Sequence, residues 1–348
     1  MREMAETKKG VPHRNCLRIA RGALVVLGVA CQSHAVMGQE NVAGNQAGSA
    51  GYPPPTLANV AYGNDPSQVL DFWKADSLSP TPLVFYVHGG AWLRGKKTDF
   101  SKGIGAVRIG DFLAAGISVV SIEYRFIETA QKAGIKPPVK WPLEDAARAL
   151  QFVRHQAEEW NIDKSRIGGT GSSAGACSVL WLAFHDDMAD PRSRDPVARE
   201  STRLSCAAVW LAQTTLDPQQ MREWTPNSVY GGHAFGFSSA RTPAGFQQFL
   251  DARDSIMPWI REYSPYEHVS ADDPPVYLFY GDPPVMGRQQ KDPTHTVNFG
   301  IGLQEKCRDA GAACHLFYPG SLDQQFTTVS DCLLAVLRKS DLTKDRAK

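Results

Sequence analysis

The chain of 348 residues carries almost no surplus of either charge: 37 Lys and Arg stand against 36 Asp and Glu, a formal net charge of +1. That balance leaves no basis for the broad basic surface that holds nucleic acid or an anionic membrane. Long hydrophobic runs are lacking as well. The apolar run Gly22–Cys31 falls far short of the roughly 20 residues that a membrane-spanning helix needs. Cysteine is sparse, at seven residues with no zinc-ligand spacing. The loop carboxylates Asp186, Asp187, Asp190, Asp272 and Asp273 have no His beside them at ligand spacing, so no metal site is expected.

What is present at the N-terminus reads as an export signal. Lys8, Lys9, Arg14, Arg18 and Arg21 precede the apolar run, and Val36 and Gly38 are small enough for a cleavage site. Residues 1–38 are therefore expected to be removed, with periplasmic or extracellular delivery. Cleavage before Cys31 as a lipoprotein is the rival reading, and Leu27–Ala30 match that pattern poorly. Five cysteines then remain: Cys177, Cys206, Cys307, Cys314 and Cys332. Five is odd, and their pairing cannot be read from sequence. Residues 39–57, rich in Gly, Ala, Asn and Pro, read as a flexible linker that becomes ordered near Tyr52.

From residue 58 to 340 strand and helix patterns alternate. Continuous apolar runs at 82–88, 117–125, 165–171, 206–213, 274–281 and 313–320 read as buried strands. Helical spacing is seen over 99–116, and a stronger amphipathic pattern over 142–160, with Pro142 in its first turn. Alternation of this kind predicts an α/β fold with a mostly parallel sheet covered by helices on both faces. Two stretches, 186–203 and 214–271, break the rhythm. Both are expected to act as cap material over a site at the carboxyl ends of the strands. Trp92, Trp224, Tyr230, Phe235 and Phe237 are either pocket lining or core.

The strongest chemical signal is Gly171-Ser172-Ser173-Ala174-Gly175, set between a short strand and a helix. A sharp strand-to-helix turn exposes the central Ser at the sheet edge, and only Gly on either side leaves room. The second signal is His88-Gly89-Gly90-Ala91-Trp92, directly after a strand. The glycine pair lets the N–H groups of Gly89 and Gly90 approach a developing oxyanion, with the Ala174 N–H as a further donor. His88 is expected to fix this loop rather than act as a base.

With these residues in view, the chain resembles the α/β-hydrolase superfamily. Within it the chain is similar to BD-FAE-like (feruloyl or acetyl-xylan esterase) and hormone-sensitive-lipase-like esterases. The segments HGGAWLRGKKTD, EYRF, WPLEDAARALQFVR, NIDKSRIGGTGSSAGA, YSPYEHV, PPVYLFYGD and HLFYPG carry the likeness. The resemblance implies hydrolysis of small or carbohydrate-linked carboxylic esters by a Ser–His–Asp triad with no cofactor. It places the acid after PPVYLFYG, at Asp292 or Asp282, with Asp292-Pro293-Thr294-His295 the better match. The family's His should follow the Tyr318-Pro319-Gly320 turn, yet no His occurs from Leu316 to Lys348. His295 is the first candidate for the base and His233 the second. Asp323 or Gln324 orienting a water is a further alternative, and His315 reads as structural. Without a base the chain would be a weakened or inactive hydrolase-fold binding protein.

Overall fold

The computed structural model describes residues 51–238 and 241–342, with side chains to 338. The expected signal peptide, its cleavage site, the Cys31 alternative and most of the linker lie outside the described residues.

Eight strands form one sheet: β1 (Leu57–Ala61), β2 (Val69–Trp73), β3 (Thr81–Val87), β4 (Ser118–Ile122), β5 (Ile162–Ser172), β6 (Cys206–Trp210), β7 (Val276–Phe279) and β8 (Cys314–Phe317). Their spatial order is β1-β2-β4-β3-β5-β6-β7-β8. β1 and β2 pair antiparallel with each other, β2 pairs antiparallel with β4, and every later pair is parallel. Ten helices connect them among the described residues: α1 (Ile109–Ala114), α2 (Ile127–Lys132), α3 (Lys140–His155), α4 (Ala157–Trp160), α5 (Ala174–Phe184), α6 (Pro218–Trp224), α7 (Pro243–Asp251), α8 (Arg253–Tyr263), α9 (Asn298–Ala310) and α10 (Val329–Leu342).

Period-two alternation divides the strand residues between two cores. Leu83, Phe85 and Val87 of β3 join Leu143 and Leu150 of α3, Leu180 of α5 and Leu303 of α9. Val84 and Tyr86 join Phe112 of α1 and Cys332, Leu333 and Leu337 of α10 on the other face. The expected two-faced sheet is what forms.

Three sequence readings need adjustment. The helix anticipated over 99–116 shrinks to a 3-10 turn at Gly103–Gly105 and the short α1. Gly103, Gly105 and Gly110 weaken helix propensity there, and a Cβ at Gly105 would lie 2.5 Å from the Trp210 ring, so the segment packs against β6. The 142–160 helix is divided at Gln156 into α3 and α4. The 186–203 excursion does not cap the site. It follows a helix rather than a strand, so it emerges at the amino-terminal edge of the sheet. There Arg148 binds Asp195 at 2.5 Å, Lys164 binds Glu200 at 2.7 Å, and Gln151 donates to the Glu200 carbonyl at 2.9 Å. From the 214–271 excursion, which leaves the carboxyl end of β6, Arg241 lines the cavity that Ser173 also lines.

Candidate active site

β5 ends at Ser172, and the chain turns at Ser173 into α5. Ser173 adopts φ 53° and ψ −122°, a conformation that costs a non-glycine residue on the order of 1–3 kcal/mol. Its N–H donates to the Trp210 carbonyl at 3.0 Å, which anchors the turn to β6. The flanking glycines are sterically required. A Cβ on Gly171 would meet the Val87 carbonyl at 2.5 Å, and one on Gly175 would meet it at 2.1 Å.

The loop after β3 faces this turn. A Cβ at Gly89 would lie 2.6 Å from the Ser172 carbonyl, and one at Gly90 (φ 108°) 1.9 Å from that of Arg94. Ala91 and Trp92 follow with φ 59° and 55°. This loop is held from below. The Trp92 indole donates to Ser178 Oγ at 2.9 Å, and the Tyr124 hydroxyl donates to the His88 carbonyl at 2.9 Å. His88 is fully buried and stacks on Tyr124 with ring centres 4.3 Å apart. Its Nδ1 is 2.7 Å from the Gly89 carbonyl. Its Nε2 is 3.3 Å from the Glu123 carboxylate, close in distance but poorly aligned for a hydrogen bond. His88 thus braces the loop. Among the described residues, the N–H groups of Gly89, Gly90 and Ala174 make no backbone hydrogen bond.

His295 sits between Asp292 and Ser173. Its Nε2 lies 2.9 Å from Ser173 Oγ, and its Nδ1 lies 2.8 Å from Asp292 Oδ2. Asp292 Oδ1 accepts from the Thr294 N–H at 3.0 Å. Partial burial works to raise the Asp292 pKa, but the His295 hydrogen bond and charge and the local N–H groups outweigh it, so the carboxyl is held below its usual value. The loop is pinned to its surroundings. Gln213 donates to the Thr294 carbonyl at 2.6 Å, and the Asn298 amide donates to the Trp224 and Val285 carbonyls at 2.7 and 3.0 Å. Ser173, His295 and Asp292 therefore form one hydrogen-bonded line.

The other candidates lie elsewhere. Asp282 is exposed on the rim of a neighbouring cavity that Asp292, Lys291 and Arg241 share. His233 is buried, and its pKa is pushed down to about 4, chiefly by that burial and partly offset by the nearby Ala91 main chain. His315 stacks on Tyr277 and lies 3.3 Å from Asp323. Asp323 is thereby occupied, and Gln324 donates to the Ser321 carbonyl at 3.2 Å.

Ser173 and His295 open into a cavity of about 350 Å³, also lined by Gly90, Arg94, Lys102 and Arg241. Of the five aromatic residues singled out from sequence, only Tyr230 borders a cavity beside this one. Trp92, Trp224, Phe235 and Phe237 pack into the core. Arg94, Lys102 and Arg241 were missed, because nothing in the local sequence marks an exposed cation as facing a site.

The BD-FAE family model matches residues 70–292. The chain belongs to the BD-FAE family. As a BD-FAE chain it is 26% identical over 242 residues to Esterase LipC of Mycobacterium tuberculosis, covering 64% of this chain and 49% of that protein. It is 27% identical over 224 residues to a probable carboxylic ester hydrolase, LipM, of the same organism, covering 61% and 44%. The chain spans about half the length of these curated relatives. Among solved structures, a truncated carbohydrate esterase from gut microbiota superposes with a TM-score of 0.59 at 20% identity, covering 84% of this chain and 98% of that one. Thermogutta terrifontis esterase 2 phosphonylated by sarin gives 0.54 at 20% identity, covering 82% and 94%. These likenesses establish the α/β-hydrolase fold for the BD-FAE chain. The match to the family model ends at Asp292, three residues short of His295.

Proposed function

We propose that this protein hydrolyses carboxylic esters, with Ser173 as nucleophile, His295 as general base and acid, and Asp292 as the group that orients His295. The observation that carries the reading is the unbroken line from Ser173 Oγ through His295 to Asp292, at 2.9 and 2.8 Å. Asp292 accepts a hydrogen bond from Nδ1–H, which keeps the proton on Nδ1 and leaves the Nε2 lone pair to receive the proton of Ser173. As Oγ attacks the carbonyl carbon, the proton passes to Nε2. The oxyanion then accepts from the N–H groups of Ala174, Gly89 and Gly90, which sit at a helix start and on the adjoining glycine loop. Collapse expels the alcohol with the proton returned from His295. Water repeats the sequence on the acyl-enzyme and frees the acid. No metal or organic cofactor takes part.

Small esters and carbohydrate-linked esters are the proposed substrates; the names of the relatives and neighbours support both classes. Export by residues 1–38 to the periplasm or beyond is proposed with it, on the sequence pattern alone. The motive for an inactive binding protein is the missing His after β8, and the contacts of His295 favour turnover over that reading.

Hydrolysis of p-nitrophenyl acetate tests the proposal, with Ser173→Ala as control and a fluorophosphonate probe to report the labelled residue. Turnover that vanishes in Ser173→Ala, with the label on Ser173, is the expected result. Equal rates in the two proteins would remove the hydrolase reading.

A further inference from the structure

Next to the Ser173 cavity lies a second one of about 180 Å³, bounded by Gly90, Ala91 and Arg94 on one side and by Tyr230, His233 and Arg241 on the other. It is smaller than the pockets that take whole drug-sized ligands, so its size suits one substituent. Gly90, Ala91, Arg94 and Arg241 border both cavities, which places the two side by side across the oxyanion loop.

The chemistry of the walls is one-sided. Arg94, Lys102 and Arg241 line these two cavities, and no Asp or Glu lines either one. Among the described residues none of the three forms an ion pair, although the chain as a whole is nearly neutral. The nearest lining carboxylates, Asp282 and Asp292, border the further cavity with Lys291 and Arg241, and Asp292 is engaged by His295. Two deeper polar groups also lack partners. Tyr230 and His233 are 4% and 5% exposed, and the Tyr230 hydroxyl and His233 Nε2 make no hydrogen bond. The Arg241 guanidinium sits over the Tyr230 ring at 5.4 Å, so the cation and the ring belong to one wall.

We propose that the small cavity receives a carboxylate carried by the substrate, so that the preferred ester has a second, anionic group on its acyl or alcohol part. Arg94 and Arg241 supply charge-assisted donors suited to a planar carboxylate. Lys102, which lines the adjoining cavity, adds to the attractive field. This inference rests on the reading of Ser173 as the reacting group.

The test compares matched esters on the full-length protein. p-Nitrophenyl hemisuccinate against p-nitrophenyl pentanoate probes the acyl side, and 4-acetoxybenzoate against its methyl ester probes the alcohol side. In at least one pair kcat/KM is expected to favour the anion by about tenfold or more. Arg94→Gln with Arg241→Gln should bring that ratio to one or below. Turnover of both pairs with no preference for the anion overturns the inference and leaves the hydrolase reading intact. Titration of Ser173→Ala with monomethyl succinate against dimethyl succinate separates the two claims. Tighter binding of the anion, lost in the double Arg variant, supports the cavity assignment even if no ester is turned over. Equal binding in a protein that turns over nothing sinks both.

Discussion

Asp292 and His295 stand three residues apart in one loop, with Oδ2 and Nδ1 2.8 Å from each other. Both side chains are thus delivered together by the loop that precedes α9, while Ser173 comes from the turn after β5. β7 and β8 are neighbouring parallel strands, so the loops that leave their carboxyl ends lie side by side. A His after β7 can therefore reach the place that a His after β8 would otherwise serve. The turn after β8 is closed on itself here, with the Ser321 hydroxyl donating to the Asp323 carbonyl at 2.7 Å and His315 against Asp323.

This arrangement makes the acid testable apart from the fold. Asp292→Asn keeps the shape and reverses the hydrogen-bond demand on Nδ1, which favours the tautomer that cannot accept the Ser173 proton. A loss of kcat on the order of 10²–10⁴-fold is expected, with little change in Tm because Asp292 is mostly exposed. Asp282→Asn, which touches neither Ser173 nor His295, should leave kcat within about twofold of the parent. A steady-state comparison of the two variants decides the matter, and equal effects would mean that Asp292 has no special part.

The base is identified by a similar contrast. His295→Gln should lower kcat by roughly 10⁴-fold or more and slow fluorophosphonate labelling of Ser173 alongside it. His315→Gln disturbs only the stack on Tyr277 and the Asp323 contact. It should cost about 1 kcal/mol of stability or less and leave labelling intact. Labelling that survives His295→Gln would send the search for the base elsewhere.

Much of this was legible in the sequence. The buried strands announce themselves because both faces of a central parallel strand are covered, so β3, β6 and the second half of β5 from Ile167 read as apolar or small-residue runs. β1 and β2 were not read as strands. β1 lies at the sheet edge with most of its side chains exposed and so carries little apolar signal, while β2 is buried but short and interrupted by Asp71. The elbow serine was legible because its motif encodes a steric demand. His295 could be named ahead of His233 from its place in the loop that carries Asp292, but its contact with Ser173 could not be read, since the spacing of residues within a loop does not say which neighbouring loop it meets. The error over 186–203 has a simple cause: a segment after a helix emerges at the opposite edge of the sheet from one after a strand. The cationic wall was invisible because Arg94 and Arg241 are separated by most of the fold in sequence and meet only across the cavity.

The elbow glycines give a prediction about stability and activity together. At Gly175 an added Cβ would strike the Val87 and His88 main chain at 2.1 and 2.6 Å, and main chain cannot step aside as a flexible side chain does. Gly175→Ala should cost about 1–3 kcal/mol, read as a lower urea midpoint. Displacing His88 also moves Gly89, so activity should fall further than the loss of folded protein accounts for. By contrast, Gly110 has open space at its Cβ position within α1. Gly110→Ala should leave activity unchanged and stabilise by up to about 1 kcal/mol. Identical behaviour of the two variants would count against the steric account.

Glu123 supplies a prediction for acid. Its side chain is 21% exposed; Oε1 accepts from the Lys97 N–H at 2.9 Å, and Oε2 lies 3.3 Å from His88. Burial works to raise its pKa, but the contacts with His88 and Lys97 prevail, so the folded value lies below the ordinary carboxylate range. The ionised form is therefore worth more in the folded chain than in the unfolded one. That stabilisation is fully present above the unfolded pKa and disappears as pH falls through the lower folded value, where both states hold the proton. Glu123→Gln should lower Tm at neutral pH, and its deficit against the parent should shrink as the pH falls below the ordinary carboxylate range. Thermal melts of both proteins across that range provide the check. A deficit that stays constant with pH would mean that the Glu123 charge contributes nothing and that only its packing matters. Because Glu123 supports His88 beneath the glycine loop, the neutral-pH variant should also lose kcat more than it raises KM, as expected when an oxyanion donor is misplaced rather than a binding contact removed.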